Sequence, residues 1–406
     1  MRWIGAAQSQ AQVDRCTVGS TTVGHTFKLT INDKVLTYTA VTGDTVDTIA
    51  AGLVALAQAS PDGEFSELVW AAVGSSGYLT ATGPADGKPF TLSVGGGTGT
   101  FSRTTLTSPK SPHDLGDALN YSGSALPSGG DMLVFEATDV SALYNLAALS
   151  GIDLTVIRRA TFTGSIGLPD ISDAGYREYR TTRLELDTTS VVWEQPASDG
   201  AGQCRLKIAA TGGAATALTV AGTGAGAQVG QEALDVIGLA GASVVDVTGG
   251  SVALAPDTSG VNVVATLRGV DSTISAGVGV TIATADLYNC QSRLLCGTTT
   301  LKVNGGGRCE VGGSATGSAV FADGGARLLW TSTGTIGTAP EVAGGATIDF
   351  SQAPGPVTVS GTAKRHAGGN WLDPAGRCGS YTIQHVRTTL DSGRFDPGAH
   401  KTTAVS

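Results

Sequence analysis

Four aspartates, Asp235, Asp246, Asp257 and Asp271, recur through the middle of the chain. Paired carboxylates are the raw material of glycan cleavage, one serving as acid and the other as base or nucleophile at roughly 5 to 9.5 Å. If the surrounding chain winds in stacked coils, equivalent positions on neighbouring coils lie about 4.8 Å apart, which would bring such a pair together. The spacings here are 11, 11 and 14 residues, and they match no single coil length. Turn and capping uses are therefore expected of these side chains, and no catalytic residue is assigned.

Other chemistry-bearing patterns fail on their own terms. Gly305-Gly306-Gly307-Arg308-Cys309 lacks the carboxylate of the Ca²⁺-binding nonapeptide roll. Gly95-Gly96-Gly97-Thr98-Gly99 has neither a following Lys nor a helix pattern, so it is no phosphate loop. The histidines His25, His113, His366, His385 and His400 are scattered, with surface or interface roles expected. Six cysteines, Cys16, Cys204, Cys290, Cys296, Cys309 and Cys378, form no C-x-x-C pair and have no His at ligand spacing, which argues against zinc. Buried free thiols acting as small apolar fillers are expected instead. No cofactor-binding or metal residue is assigned, and no cofactor is expected.

The elements that carry these residues follow from glycine. Gly249-Gly250, Gly305-Gly306, Gly324-Gly325 and Gly344-Gly345 each adjoin a brief alternating apolar stretch, and the last three pairs stand 19 and 20 residues apart. That is the length of one coil of a β-solenoid. Units so short cannot bury their own apolar side, and they gain a core only by lying on their neighbours.

Composition agrees. The 406 residues include 59 glycines, 41% hydrophobic, 15% charged and only 5% aromatic residues. The chain is too apolar for disorder and too poor in large side chains for a wide globular core. Two or three domains are expected at this length. A net charge of −9 gives no electrostatic reason to bind nucleic acid. Lys364, Arg365, Arg377, Arg387, Arg394 and Lys401 gather toward the C-terminus, where a solvated or subunit-facing surface is expected. No run approaches the ~20 apolar residues of a membrane span, and Met1-Arg2-Trp3-Ile4-Gly5 opens no signal peptide, so neither membrane association nor ordinary export is expected.

Along the chain, residues 1–17 read as an N-terminal arm with Trp3 and Ile4 as its only large apolar groups. Residues 18–102 read as a small α+β attachment module. In it, His25 to Ile31 and Val35 to Thr39 form a hairpin about Asn32-Asp33. Val46, Ile49, Ala50, Leu53, Val54 and Ala57 lie on one helical face, capped by Asp44 or Thr45 and ended by Ser60-Pro61-Asp62-Gly63. Strands are expected at Leu68 to Trp70, Tyr78 to Thr82 and Phe90 to Val94. Residues 103–113 read as a linker, 114–183 as the solenoid's N-terminal cap and first coils, 184–362 as the β-solenoid, and 363–406 as a C-terminal cap or tail. Tyr176-Arg177-Glu178-Tyr179-Arg180 stands out as a polar, aromatic loop suited to a lateral contact. The fold class is thus mainly β: a small α+β module followed by a parallel β-helix-like solenoid with irregular caps.

Phe27 to Asn32, Leu36 to Ala40, Gly43-Asp44-Thr45, Ile49 to Leu53, Leu79 to Thr82 and Pro89 to Ser93 carry a resemblance. In that order of hairpin, helix and two strands, the N-terminal segment is similar to a small α/β module that recurs in tail and other structural proteins of bacteriophages. With Asn120 to Gly123, Phe162 to Pro169 and the Gly-Gly coils added, the chain resembles a family of largely uncharacterised phage or prophage proteins with a β-helical body. The match is weakest after His366. The resemblance implies a virion component, assembled in the host cytoplasm and partnered by other virion proteins such as capsid or tail components; it supplies no catalytic residues to transfer.

Two functions are carried forward. The first is a non-enzymatic virion structural protein, a capsid decoration or fibre-like body, expected to be a homo-oligomer with a trimer as first candidate because the rungs at the ends of a solenoid leave open edges. The second is a tail spike or receptor-binding protein that binds or cleaves host surface polysaccharide, which requires a groove lined by aromatics and carboxylates on one face. A bacterial surface adhesin would need an export signal.

Overall fold

The computed structural model describes residues 1–196, 203–222, 229–256, 261–378, 381–386 and 400–404. Within them the glycine pairs are corners. Each coil lays one strand in a long parallel sheet that runs from Met132–Phe135 to Tyr381–Val386. It then turns and lays a second strand in another parallel sheet, which runs from Leu184–Leu186 and Cys204–Ile208 to Asn370–Leu372. From Asn262–Val270 onward several of the long strands start earlier than those before them. Their first residues extend the same ladder, with Asn262 paired with Val280, Ile282 with Thr298 and Gly317 with Ile336. The result is a parallel β-solenoid.

One column of the long sheet gives the repeat directly. Asp246 lies beside Arg268, then Asp286, Lys302, Phe321, Glu341 and Lys364, at steps of 16 to 23 residues. The inward column next to it reads Val245, Leu267, Ala285, Leu301, Val320, all buried. These branched and small side chains fit a narrow interior that no coil could close alone.

The corner between the two sheets needs a left-handed residue. Gly249, Gly305, Gly324 and Gly344 have φ of 66°, 71°, 62° and 54° there, and Asp271 and Asn289 take the same place with φ of 51° and 53°. Asn and Asp are the side chains that tolerate this region best. Asn289 also donates to Asp271 at 2.6 Å across coils. Close stacking adds a second demand for glycine: a Cβ on Gly324 would sit 3.0 Å from the backbone nitrogen of Gly305.

The coils continue past residue 362. Thr362–His366 and Asn370–Leu372 are further rungs, paired with Ile336–Val342 and Thr347–Asp349, and Gly368 repeats the corner. Pro354-Gly355-Pro356 falls in a connection outside the two main sheets, so it does not break the stack. The last strand, His400–Ala404, pairs antiparallel with Tyr381–Val386.

The N-terminal module packs helix Val46–Gln58 against a four-stranded antiparallel sheet and a three-stranded one. The helix begins at a capping box between Thr45 and Thr48 and buries Ile49, Ala50, Leu53, Val54 and Ala57. Its first sheet strand, Val13–Val18, lies inside the segment read as an arm, and Phe101–Thr107 pairs with it from the segment read as a linker. The β-branched run Thr104-Thr105 favours that strand. Only Ser93–Val94 of the expected strand at Phe90 to Val94 is laddered. Gln12 accounts for the rest: its side chain bonds the backbone NH and carbonyl of Phe90 at 3.1 and 3.0 Å, as a neighbouring strand would.

The arm itself docks on the chain's own solenoid. Arg2–Trp3 adds as a parallel strand to Met132–Phe135. Trp3 is fully buried, edge-on to Tyr121 at 5.5 Å, and its indole NH donates to the Val140 carbonyl at 2.8 Å. Phe135 and Phe162 continue the cluster. Large rings thus cluster at this end of the column, while further along single rings such as Trp193, Trp330 and Phe350 are buried among aliphatic side chains. Trp3→Ala should lower unfolding free energy by about 3–5 kcal/mol, read from the denaturation midpoint, and should speed amide exchange along Met132–Phe135; an unchanged midpoint would mean the first coil is held without it.

Candidate functional site

Two places bring polar side chains together with a purpose the fold alone does not require. The first joins module to solenoid. Glu67, at the end of the short helix Gly63–Ser66, projects toward the loop Tyr176 to Arg180 that leaves the first coils. One carboxylate oxygen accepts from Tyr179 at 2.6 Å and from Arg180; the other accepts from Tyr176 at 2.6 Å and Lys88 at 2.8 Å. Arg180 also donates to the Pro89 carbonyl at 2.7 Å and to Glu178 at 2.5 Å, and it lies over the Tyr179 ring at 4.2 Å. Tyr176 and Tyr179 stack at 6.2 Å.

Burial alone would push the Glu67 carboxyl up, but the Arg180 charge and the Lys88, Tyr176 and Tyr179 hydrogen bonds outweigh it and hold the carboxyl below its usual range. Burial raises both tyrosines and would lower Arg180, whose anionic and phenolic neighbours raise it instead. Gly63 is required here, since a Cβ would lie 1.8 Å from the Tyr176 ring. A hollow of about 530 Å³ beside the joint is lined by Glu67, Lys88, Tyr144, Asp173, Tyr176 and Arg205. Its most buried charges already satisfy one another, so the chemistry it performs is to fix one body against the other. The loop expected to make a lateral contact makes it with the chain's own module.

The second place is a groove of about 490 Å³ on the outer face of the long sheet, spanning Lys302, Asn304, Phe321, Asp323, Glu341 and His366. Val320 and Ala322 point inward, so Phe321 between them faces outward, half-buried. Ala343, Gly344 and Ala367 leave the depression. A register shift between Ala319 and Phe321 sits at its edge. Glu341 bonds Lys364 at 2.7 Å and faces His366 at 3.5 Å, and Asp323 accepts from the Gly324 NH at 2.7 Å.

The four aspartates do not form a row. Asp235 lies in the second sheet beside Arg183 at 2.6 Å, Asp246 in the long sheet beside Arg268 at 3.2 Å, and Asp271 at the left-handed corner. Asp257 lies outside the described residues. His113 bonds the Ser141 carbonyl at 2.8 Å, and His385 and His400 are backbone register partners at the C-terminal end. All six cysteines are buried, and they form no disulfide with one another. Burial raises every thiol, Cys290 to about 11 and Cys16, Cys296 and Cys309 to about 12, which keeps them protonated fillers. Arg158 is a cation inside the column, donating to the carbonyls of Glu194 and of Phe162 (2.8 Å) between two rings, and its role is structural. Among the described residues, no three His, Cys, Asp or Glu side chains converge as metal ligands, and no helix is long and apolar enough to cross a membrane.

Sequence reasoning missed both places. Tyr176 to Arg180 was conspicuous, but its partner Glu67 is 113 residues away from Arg180. The alternating pattern could have marked Phe321 as the one aromatic in a charged outward column. No protein-family model matches the chain, and no curated protein matches it.

Removing one partner of a buried, hydrogen-bonded ion pair costs about 3–5 kcal/mol, and Glu67→Gln should approach that at pH 7 in urea denaturation. Because the folded carboxyl titrates below its ordinary value of 4.5, the charge contributes fully above that pH and loses its contribution as pH falls through the lowered value. The gap between wild type and Glu67→Gln should therefore close in acid; a gap independent of pH would mean that the charge is not what holds the joint.

Proposed function

We propose that the chain is a non-enzymatic structural protein of a bacteriophage or prophage particle, carried on the virion as a capsid decoration or a fibre-like component. The observation that supports this most is the joint at Glu67 and Arg180. It fixes a small module to the N-terminal end of a rigid column, so that whatever holds the module also sets the direction in which the column projects. A buried joint of this kind serves display. Val69 and Val73 are exposed on the module's edge strand, a surface suited to packing on capsid or tail proteins. The likeness of the module to those of phage tail proteins points the same way.

Self-association is part of the reading, with a trimer as its simplest form. Val261, Val263 and Val278 are 63%, 40% and 53% exposed on adjacent coils of one flank, where Asn262 pairs with Val280. A second copy laid along that flank would cover them.

One observation favours a second reading, in which the column binds host surface polysaccharide: the groove about Phe321 combines an aromatic ring with carboxylate, amide and ammonium groups.

Mass spectrometry of gradient-purified particles from a lysate of the cell that encodes this chain should find it at a fixed ratio to the major capsid protein. Its absence from the particles while abundant in the lysate would overturn the structural role. Sedimentation equilibrium should give a mass near three chains, and monomer alone at high concentration would remove the oligomer.

A further inference from the structure

We infer that the Phe321 groove is a binding site for a neutral oligosaccharide, gripping pyranose rings without cleaving them; the inference rests on the second reading above and gives it residues. The argument begins with the outward column of the long sheet. From Asp246 to Lys364 every member is charged except Phe321, which interrupts the series between Lys302 and Glu341. An aromatic ring that faces solvent between ionic neighbours contributes nothing to the aliphatic core behind it. Its face is the negative side of a quadrupole and an apolar platform, suited to the weakly positive C–H face of a sugar ring.

Around that platform stand the groups a hydroxylated ring needs. Asp323 and Glu341 accept, Lys302 donates, and the Asn304 amide does both, from three successive coils. The carboxylates of Glu341 and Asp323 are already oriented, by Lys364 and by the Gly324 NH. A site so preset binds with little further ordering. The groove's volume of about 490 Å³ lies within the range of small-ligand sites.

The site also has a direction. Tyr288, 53% exposed, pairs in register with Asn304, which lies one coil before the coil of Phe321. At about 4.8 Å per coil, the backbones of the two residues stand roughly 10 Å apart along the column, and the Tyr288 ring lies against Gly305 of the coil between them. Two outward-facing rings at successive levels of one face suit a chain of sugars laid along the column axis rather than a single ring.

The full chain applied to an array of immobilised bacterial surface polysaccharides should be retained on at least one neutral glycan. Phe321→Ala should weaken that retention tenfold or more while leaving the thermal midpoint within a few degrees. Should that variant fold poorly, Ala343→Trp, which fills the depression from the other side, should abolish retention in the same way. Retention unchanged by both variants would overturn the groove while leaving polysaccharide binding by some other surface. No retention on any glycan would overturn both. Retention on acidic glycans alone, erased by moderate salt, would mark the charged column as the contact and overturn the groove as well.

Discussion

Each coil of this protein depends on the backbone hydrogen bonds and the apolar layer of the coils on either side of it. A stretch of about twenty residues with Val, Leu, Ile and Ala as its large groups buries little by itself, and only parallel stacking closes the interior. That dependence explains the rest. The path must repeat closely enough for every strand to find its partner, so the corner between the two sheets is held in the left-handed region from Gly249 to Gly344. Connections away from the corner vary, and steps between rungs range from 16 to 23 residues without disturbing the column.

Stacking leaves the ends of the column exposed, and at the N-terminal end the buried rings are gathered into one cluster. There the interior is capped by Trp3, Tyr121, Phe135 and Phe162, and the capping strand is Arg2–Trp3. The module is then fastened beside this cap through Glu67. Two kinds of contact meet at one end: non-directional burial of large rings, and a directional cluster of charge and phenol. The first closes the column, and the second sets an angle.

How much of this could be read from the residues depends on distance along the chain. Corners are local, so Gly305-Gly306, Gly324-Gly325 and Gly344-Gly345 announced the coil. Asp271 and Asn289 occupy the same corner and were silent, because the preference of their side chains for that conformation is weaker than glycine's. The helix and hairpin of the module were legible for the same local reasons. Trp3 was not, since its partners lie more than a hundred residues away. Gln12 imitates a strand with a side chain, which no alternation of apolar and polar residues records. The groove is built from side chains of successive coils around the small residues Ala343, Gly344 and Ala367, a property of no coil alone.

The outward column of Asp246, Arg268, Asp286 and Lys302 alternates in sign coil by coil, and Glu341 and Lys364 resume the alternation above Phe321. From Asp246 to Lys302 such a column has a parity. Loss of the single coil that carries Asp286 would leave Arg268 lying against Lys302, whereas loss of the coils of Arg268 and Asp286 together, or their duplication as a pair, would keep opposite charges adjacent. Length variants that arise by recombination among the coils from Asp246 to Lys302 would then be tolerated in even steps, and that stretch of the column would lengthen or shorten by pairs.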